Sequence, residues 1–214
     1  MLTVANKNLK LLQAVRESAI DIYDIIDVDE DWKLSKEKLG IKLFKYKGAT
    51  LKSSEVFLKR SMDVDAPIDT VVTCMEDWKF QLDCNDRLKT LEVIEEIGPN
   101  SNIIYQLSKS SFIVSSREFV IGGSRITLKN EKVLLVNYSV PHKDYPLQKS
   151  VVRGSVKAIF LFEKISKKKT HVVNILNVDL KGSIPSIASN KMADMQYDSF
   201  AIIKAKIEKF YLAQ

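Results

Sequence analysis

Two cysteines, two histidines, seven glycines and five prolines in 214 residues exclude several kinds of protein. Cys74 and Cys84 alone make no disulfide framework, and a chain this long buries a core without staples, so both are read as free thiols. His142 stands in a proline-flanked loop and His171 after a lysine run, neither with a neighbour at metal-ligand spacing. Unbroken apolar stretches such as Ala158 to Phe162 fall far short of the roughly 18–20 residues that cross a bilayer. Lys7 and Lys10 lead into no apolar run with a small-residue cleavage site, so no secretory signal is expected and the cytoplasm is the expected location. No Gly-x-Ser-x-Gly elbow, phosphate-binding glycine loop or His-Glu-x-x-His helix occurs. The expectation is a non-enzymatic protein with no metal and no cofactor.

What is present is a globular balance: 45% hydrophobic and 28% charged residues, enough for one domain over 1–214 and too apolar for disorder. The formal net charge is +6, unevenly spread. Residues 1–100 carry 15 Lys/Arg and 19 Asp/Glu, whereas residues 101–214 carry 18 and 8, so an acidic partner meets the second half first. Lys167-Lys168-Lys169 suggests nucleic acid or, more simply, a solvated hairpin tip; without interleaved aromatics the second reading is preferred and no nucleic-acid partner is expected.

Leu12, Val15, Ala19, Ile22 and Ile26 recur at helical spacing, predicting a helix from about Val4 to Asp27. Alternation from Trp32, broken at Gly40 and at Lys47-Gly48-Ala49, predicts two strands, and Val56, Leu58, Met62 and Val64 mark a third. Asp65-Ala66-Pro67 offers an N-cap and first-turn proline for a helix to about Glu76, followed by a second short helix over about Lys79 to Asp86. Strands are predicted at 90–97, 102–109, 117–128, 132–140, 151–164 and 171–181, separated by turn residues and paired antiparallel as a meander of about nine strands. Beyond Gly182 and Pro185, Met192, Met195, Ser199, Ile202, Ile203, Ile207 and Phe210 share one face of a long helix. Its methionines are either ordinary core or adaptable contacts to a variable ligand. The class is α+β, a curved antiparallel sheet packed on a long C-terminal helix.

Ser115-Ser116-Arg117-Glu118-Phe119-Val120, then Pro146 with Val151-Val152-Arg153, then Asp179-Leu180-Lys181-Gly182-Ser183-Ile184-Pro185, are similar in order and spacing to the START lipid-transfer family, related to steroidogenic acute regulatory protein. The resemblance covers essentially the whole chain. It implies a helix-grip fold enclosing a tunnel for one lipid, with the last helix and the loop from Pro141 to Ser150 as gate. Gly182 to Pro185 is the expected hinge, which makes Pro141, Pro146, Gly182 and Pro185 the gate and hinge residues. Leu82-Asp83 stands where the family often has Trp-Asp. Sterol-binding members pair a buried acid on one strand with a buried arginine on the next; the aligned positions here are Gln106 and Gly123, both uncharged.

Arg125 follows Gly123 on the same strand face, either replacing that cation before a lipid phosphate or lying in solvent at the strand end. By parity Phe119 and Ile121 join Gly123, Ile104 joins Gln106, and Val156 and Ala158 follow in the family's register. Met192, Met195, Ser199 and Ile203 supply the helix side. Arg117, Glu118 and Arg153 are read as structural charges pairing outside the cavity, and Gly122-Gly123 as a bulge or a close backbone approach. The implied function is binding and transfer of one lipid by a monomer that touches an anionic membrane surface in passing. Phospholipid ranks ahead of sterol; a lipid sensor that never releases its ligand is the alternative.

Overall fold

A computed structural model describes Gln13, Glu17 and residues 23–26, 29–47, 51–52, 54–111 and 114–213, the side chains of 186–190 excepted. The expected N-terminal helix, about Val4 to Asp27, lies almost wholly outside the described residues. A 3-10 turn at Asp29–Asp31 leads into β1 (Trp32–Lys38) and β2 (Ile41–Tyr46), joined through Leu39 and Gly40, both at positive φ. Two consecutive residues in that conformation give the tight turn whose twist suits an antiparallel hairpin. β3 (Glu55–Val64) completes the first run of strands.

The chain then leaves the sheet for α1 (Ile68–Glu76) and α2 (Trp78–Cys84). Asp65 does not cap α1: Pro67 is the cap and makes no side-chain cap bond, while the Asp65 N–H donates to Glu208 instead. Asp77 does cap α2, accepting from the Lys79 and Phe80 N–H groups. Six of the remaining strands are long or medium: β4 (Leu88–Gly98), β5 (Ser101–Ser108), β6 (Arg117–Thr127), β7 (Val133–Ser139), β9 (Ser155–Ser166) and β10 (Lys169–Asp179). The predicted run 151–164 is divided at Gly154, leaving β8 (Val152–Arg153) as a separate piece, so the sheet has ten strands.

Its order is β1-β2-β3-β10-β9-β7-β6-β5-β4, with β8 pairing parallel to β6. A simple antiparallel meander is therefore not what forms. β3 would be a bare edge of unpaired N–H and C=O groups, and β10 covers it in unbroken register from Thr170↔Val64 to Asp179↔Glu55. Both faces are buried. One carries Phe119, Ile121, Phe162 and Val172 against α1, α2 and the last helix, α3 (Ser186–Leu212). The other carries Val120, Leu134, Val136 and Ile159 beneath Ile26, Trp32 and Tyr145. Neighbours along β6 fall in alternate clusters, as the two-residue strand period requires. The curved sheet and α3 together make the helix-grip arrangement.

On α3 the buried face is rotated from the predicted one. Phe200, Ile203, Ile207 and Tyr197 are buried, whereas Ile202 and Phe210, placed on the apolar stripe by sequence, are 45% and 46% exposed. Tyr197 turns its hydroxyl to the Lys38 carbonyl, and the Arg60 guanidinium lies 4.5 Å over the Phe200 ring. Those two contacts fix the rotation of the helix on the sheet.

Candidate functional site

Between α3 and the sheet lies a cavity of about 830 Å³. The α3 wall presents Met192, Met195, Gln196 and Ser199, one continuous strip at spacings of three and four. Opposite it stand Val56 of β3, Val178 of β10, Gln106 of β5 and Phe119 of β6. Its mouth is made by residues 85–88, by 108–111 with 114 and 115, and by Leu180 and Lys191. Phe119, Val56, Val178 and Met192 belong to the apolar core, so the hollow opens directly out of close packing.

Five predicted ligand contacts therefore border one space: Gln106, Phe119, Met192, Met195 and Ser199. Ile104, Ile121 and Ile203 are buried in the core cluster, Val156 packs against it and Ala158 is buried; none of the five borders the cavity. Gly123 and Arg125 border a second, smaller cavity of about 240 Å³. Along the inward face of β6, Arg117 and Phe119 meet the large cavity and Gly123 and Arg125 the small one. Ile121, paired with Ile104, packs between them.

Arg125 is consequently neither a phosphate reader in the large cavity nor a free strand-end charge. It pairs with Glu76 at 3.0 Å and donates to the Asn100 side chain at 2.8 Å. Burial raises the Glu76 carboxyl and the Arg125 charge draws it back, leaving a net upward displacement. Gly122-Gly123 is not a bulge, since β6 pairs with β5 and β7 there without a register shift. Close approach is the reason for Gly123: a Cβ would stand 3.0 Å from Asn102 Oδ1 and 3.4 Å from Asn137 Oδ1.

The motif charges divide between the two faces. Glu118, fully buried, accepts from Arg153 Nε at 3.0 Å and from the Tyr105 hydroxyl at 3.1 Å, away from the cavity as expected. Burial, then the Glu118 contact, push the Tyr105 phenol up to about 12. Arg117 departs from expectation. It borders the cavity and, among the described residues, has only neutral acceptors: Leu180 O and Lys181 O at 3.2 Å, Ser115 O at 2.7 Å and Ser115 Oγ at 2.6 Å. Burial lowers its pKa.

Arg117 thus ties the start of β6 to the segment that leads into α3. Lys181 and Gly182 in that segment both have positive φ, and Pro185 caps α3. Asp179 holds the same segment from the other side, accepting from the Lys181 N–H and pairing with its ammonium group at 2.6 Å. Burial alone would raise the Asp179 carboxyl; hydrogen bonds from Lys181 and Ser54 outweigh it and hold the group below the usual carboxylate range. Pro141 and Pro146 lie elsewhere: no residue from 141 to 150 borders the cavity. Arg153 donates to the Tyr145 and Pro146 carbonyls, and Tyr145 packs against the other face of the sheet. The loop is held there, away from the hollow.

Sequence reasoning missed Gln196, Arg60 and the basic mouth. Gln196 was findable, one turn beyond Met192 on the same stripe. Its side-chain oxygen accepts from Arg60 Nη1 at 3.2 Å and its carbonyl at 2.7 Å, while Asn174 Oδ1 accepts from Arg60 Nε at 3.0 Å. Arg60 is buried without a carboxylate partner among the described residues, and burial lowers it to about 9. Among the described residues no group of three His, Cys, Asp or Glu stands ready to hold a metal ion, and no helix is long and apolar enough to cross a membrane.

The START domain family matches residues 28–207. START domain-containing protein 10 of mouse is 21% identical over 166 residues, covering 77% of this chain and 57% of the relative; the human protein is 20% identical over the same lengths. The chain thus spans little more than half of the curated relatives it matches. The solved structure of human StAR-related lipid transfer protein 5 superposes with a TM-score of 0.83 at 16% identity, covering 93% of this chain and 97% of that one. Human STARD10 superposes with a TM-score of 0.80 at 17% identity, covering 89% and 78%. With its family match spanning most of its length and its curved sheet closed on α3, this chain belongs to the START domain family.

Proposed function

We propose that this domain takes one lipid molecule into the 830 Å³ cavity and carries it between membranes, as a cytoplasmic monomer without a cofactor. The carrying observation is the hollow itself, within the roughly 300–1,000 Å³ range of small-molecule sites and walled by Met192, Met195, Phe119, Val56 and Val178. A diacyl lipid has on the order of 30 methylenes, so exposing its chains to water costs on the order of 20 kcal/mol. An apolar compartment in a soluble protein removes that barrier and needs no chemical step. The family relationship and the lipid-transfer name of one structural relative support the same reading.

Delivery requires the wall to open. Gly182 and Pro185, where the chain enters α3 from a left-handed turn, are the proposed hinge. Phospholipid is the first ligand class. Sterol is second, because the Gln106 carboxamide borders the cavity and a lone hydroxyl needs one such partner. Met195→Trp tests the carrier reading by filling the hollow. Transfer of fluorescent phospholipid between vesicles should fall about tenfold while the melting temperature holds or rises. Unchanged transfer in the filled variant refutes the role of this cavity, and binding without movement of label makes the domain a sensor.

A further inference from the structure

The mouth of the large cavity has a strong imbalance of charge. Arg87, Lys109, Arg117 and Lys191 border it, against one carboxylate, Asp86. They come from four separate places: the start of β4, the end of β5, the start of β6 and the first turns of α3. None of the four is ion-paired among the described residues. Arg117 is spent on carbonyls and a hydroxyl, and Arg87 reaches across the mouth to the Met195 carbonyl at 3.4 Å. Lys109 and Lys191 are exposed and make no side-chain hydrogen bond or ion pair among the described residues.

We infer that this basic mouth is the headgroup site of the cavity, and that it selects an amphiphile whose polar end is a net anion, a phosphate monoester or a carboxylate, over a zwitterionic or neutral one. The inference rests on the carrier reading and sharpens it. Alkyl chains lie against the methionines of α3, which directs the polar end outward to the four cations. Arg117 is buried with its guanidinium held on protein oxygens, so it contributes a fixed positive charge beside the opening rather than a bidentate contact. Lys109, just past β5, and Lys191, on α3, are exposed and supply charge that is free to reposition. A phosphocholine head would set its own ammonium group against this cluster, and a sterol hydroxyl would leave it without an anion. Arg125, occupied with Glu76, takes no part.

Cations at an opening also draw a protein to anionic membranes, so the test separates ligand from surface. The full chain is titrated calorimetrically with dihexanoyl phosphatidic acid, dihexanoyl phosphatidylcholine and inorganic phosphate, the two lipids below their micelle concentrations. Phosphatidic acid should bind at least about tenfold tighter than phosphatidylcholine, inorganic phosphate should bind far more weakly than either, and the preference should shrink from about 50 to about 300 mM salt. In Lys109→Gln/Lys191→Gln the preference should drop to within about threefold, and Lys109→Arg/Lys191→Arg should keep it. Thermal melts confirm that both variants fold.

Equal affinity for the two lipids, or a preference that survives the glutamine variant, overturns the inference and leaves the carrier reading standing. A preference seen with phosphatidylserine vesicles but not with monomeric lipids also overturns it, assigning the cations to membrane docking. Phosphate binding as tightly as phosphatidic acid makes the mouth a free-anion site. Failure of every lipid to bind defeats the carrier reading as well.

Discussion

The ring of Phe119 occupies the space that a side chain on Gly154 would need: a Cβ there would stand 2.6 Å from Phe119 Cζ and 3.1 Å from the Asp179 carbonyl. Gly154 also donates its N–H to the Glu118 carbonyl at 3.0 Å, so its backbone cannot retreat without breaking a sheet contact. The glycine that divides β8 from β9 is in this way what lets a phenylalanine line the cavity.

Gly154→Ala should therefore cost about 1–3 kcal/mol, as overpacking of a filled core does. Urea unfolding measures it. Phe119→Leu removes the ring edge, so the double variant should be less destabilised than the two single changes together, a coupling of about 1 kcal/mol. Simple additivity would show that Phe119 is not what excludes the side chain.

Arg60 and Asn174 are bound in the same sense. The guanidinium depends on neutral acceptors on β10 and α3, and Asn174 in turn donates to the Ile159 carbonyl at 2.7 Å. Asn174→Leu leaves a buried cation short of acceptors and should destabilise by about 3 kcal/mol or more, whereas Arg60→Met/Asn174→Leu should recover most of the loss. The same unfolding assay decides it; a double variant as weak as Asn174→Leu alone would count against the pairing.

Asp179 gives a pH dependence whose sign follows from its displacement. Its carboxyl lies below the ordinary 3.8 in the folded protein, so its contribution is full above that value and is lost as the pH falls through the folded pKa. Lys181, raised by the Asp179 hydrogen bond and charge, contributes below its ordinary 10.5 and loses that contribution as the pH rises through its higher folded value. The stability gap between wild type and Asp179→Asn should be widest at neutral pH and close toward about pH 2. A gap independent of pH would remove the Asp179–Lys181 pair as a charge-dependent restraint on the segment entering α3.

Much of the fold is written in local pattern. Period-two alternation marked the first three strands and turn residues bounded most of the others, and Gly40, Asn100, Asn130 and Glu131 take the positive φ that the predicted turns require. Asp65 misled because the helix begins at Ile68, two residues later than an Asp65 cap requires, with Pro67 at the cap position and the Asp65 N–H donating to Glu208. At the cavity, the family resemblance pointed to Gln106 and to the face of β6 that Gly123 occupies, strand parity extended that face to Phe119, and helical spacing gave Met192, Met195 and Ser199.

The sequence by itself determined which residues form strands, turns and the last helix, since backbone sterics and solvent periodicity act over a few neighbours. Only the tertiary structure decided that β10 closes on β3, that α3 buries Phe200 and leaves Ile202 outside, and that Arg117 bonds to carbonyls 63 and 64 residues away. It also decided that Arg87, Lys109 and Lys191 meet at one opening. The reason is physical: a helical wheel or an alternating strand says which side chains point together, but what each of them meets depends on surfaces brought in from distant parts of the chain.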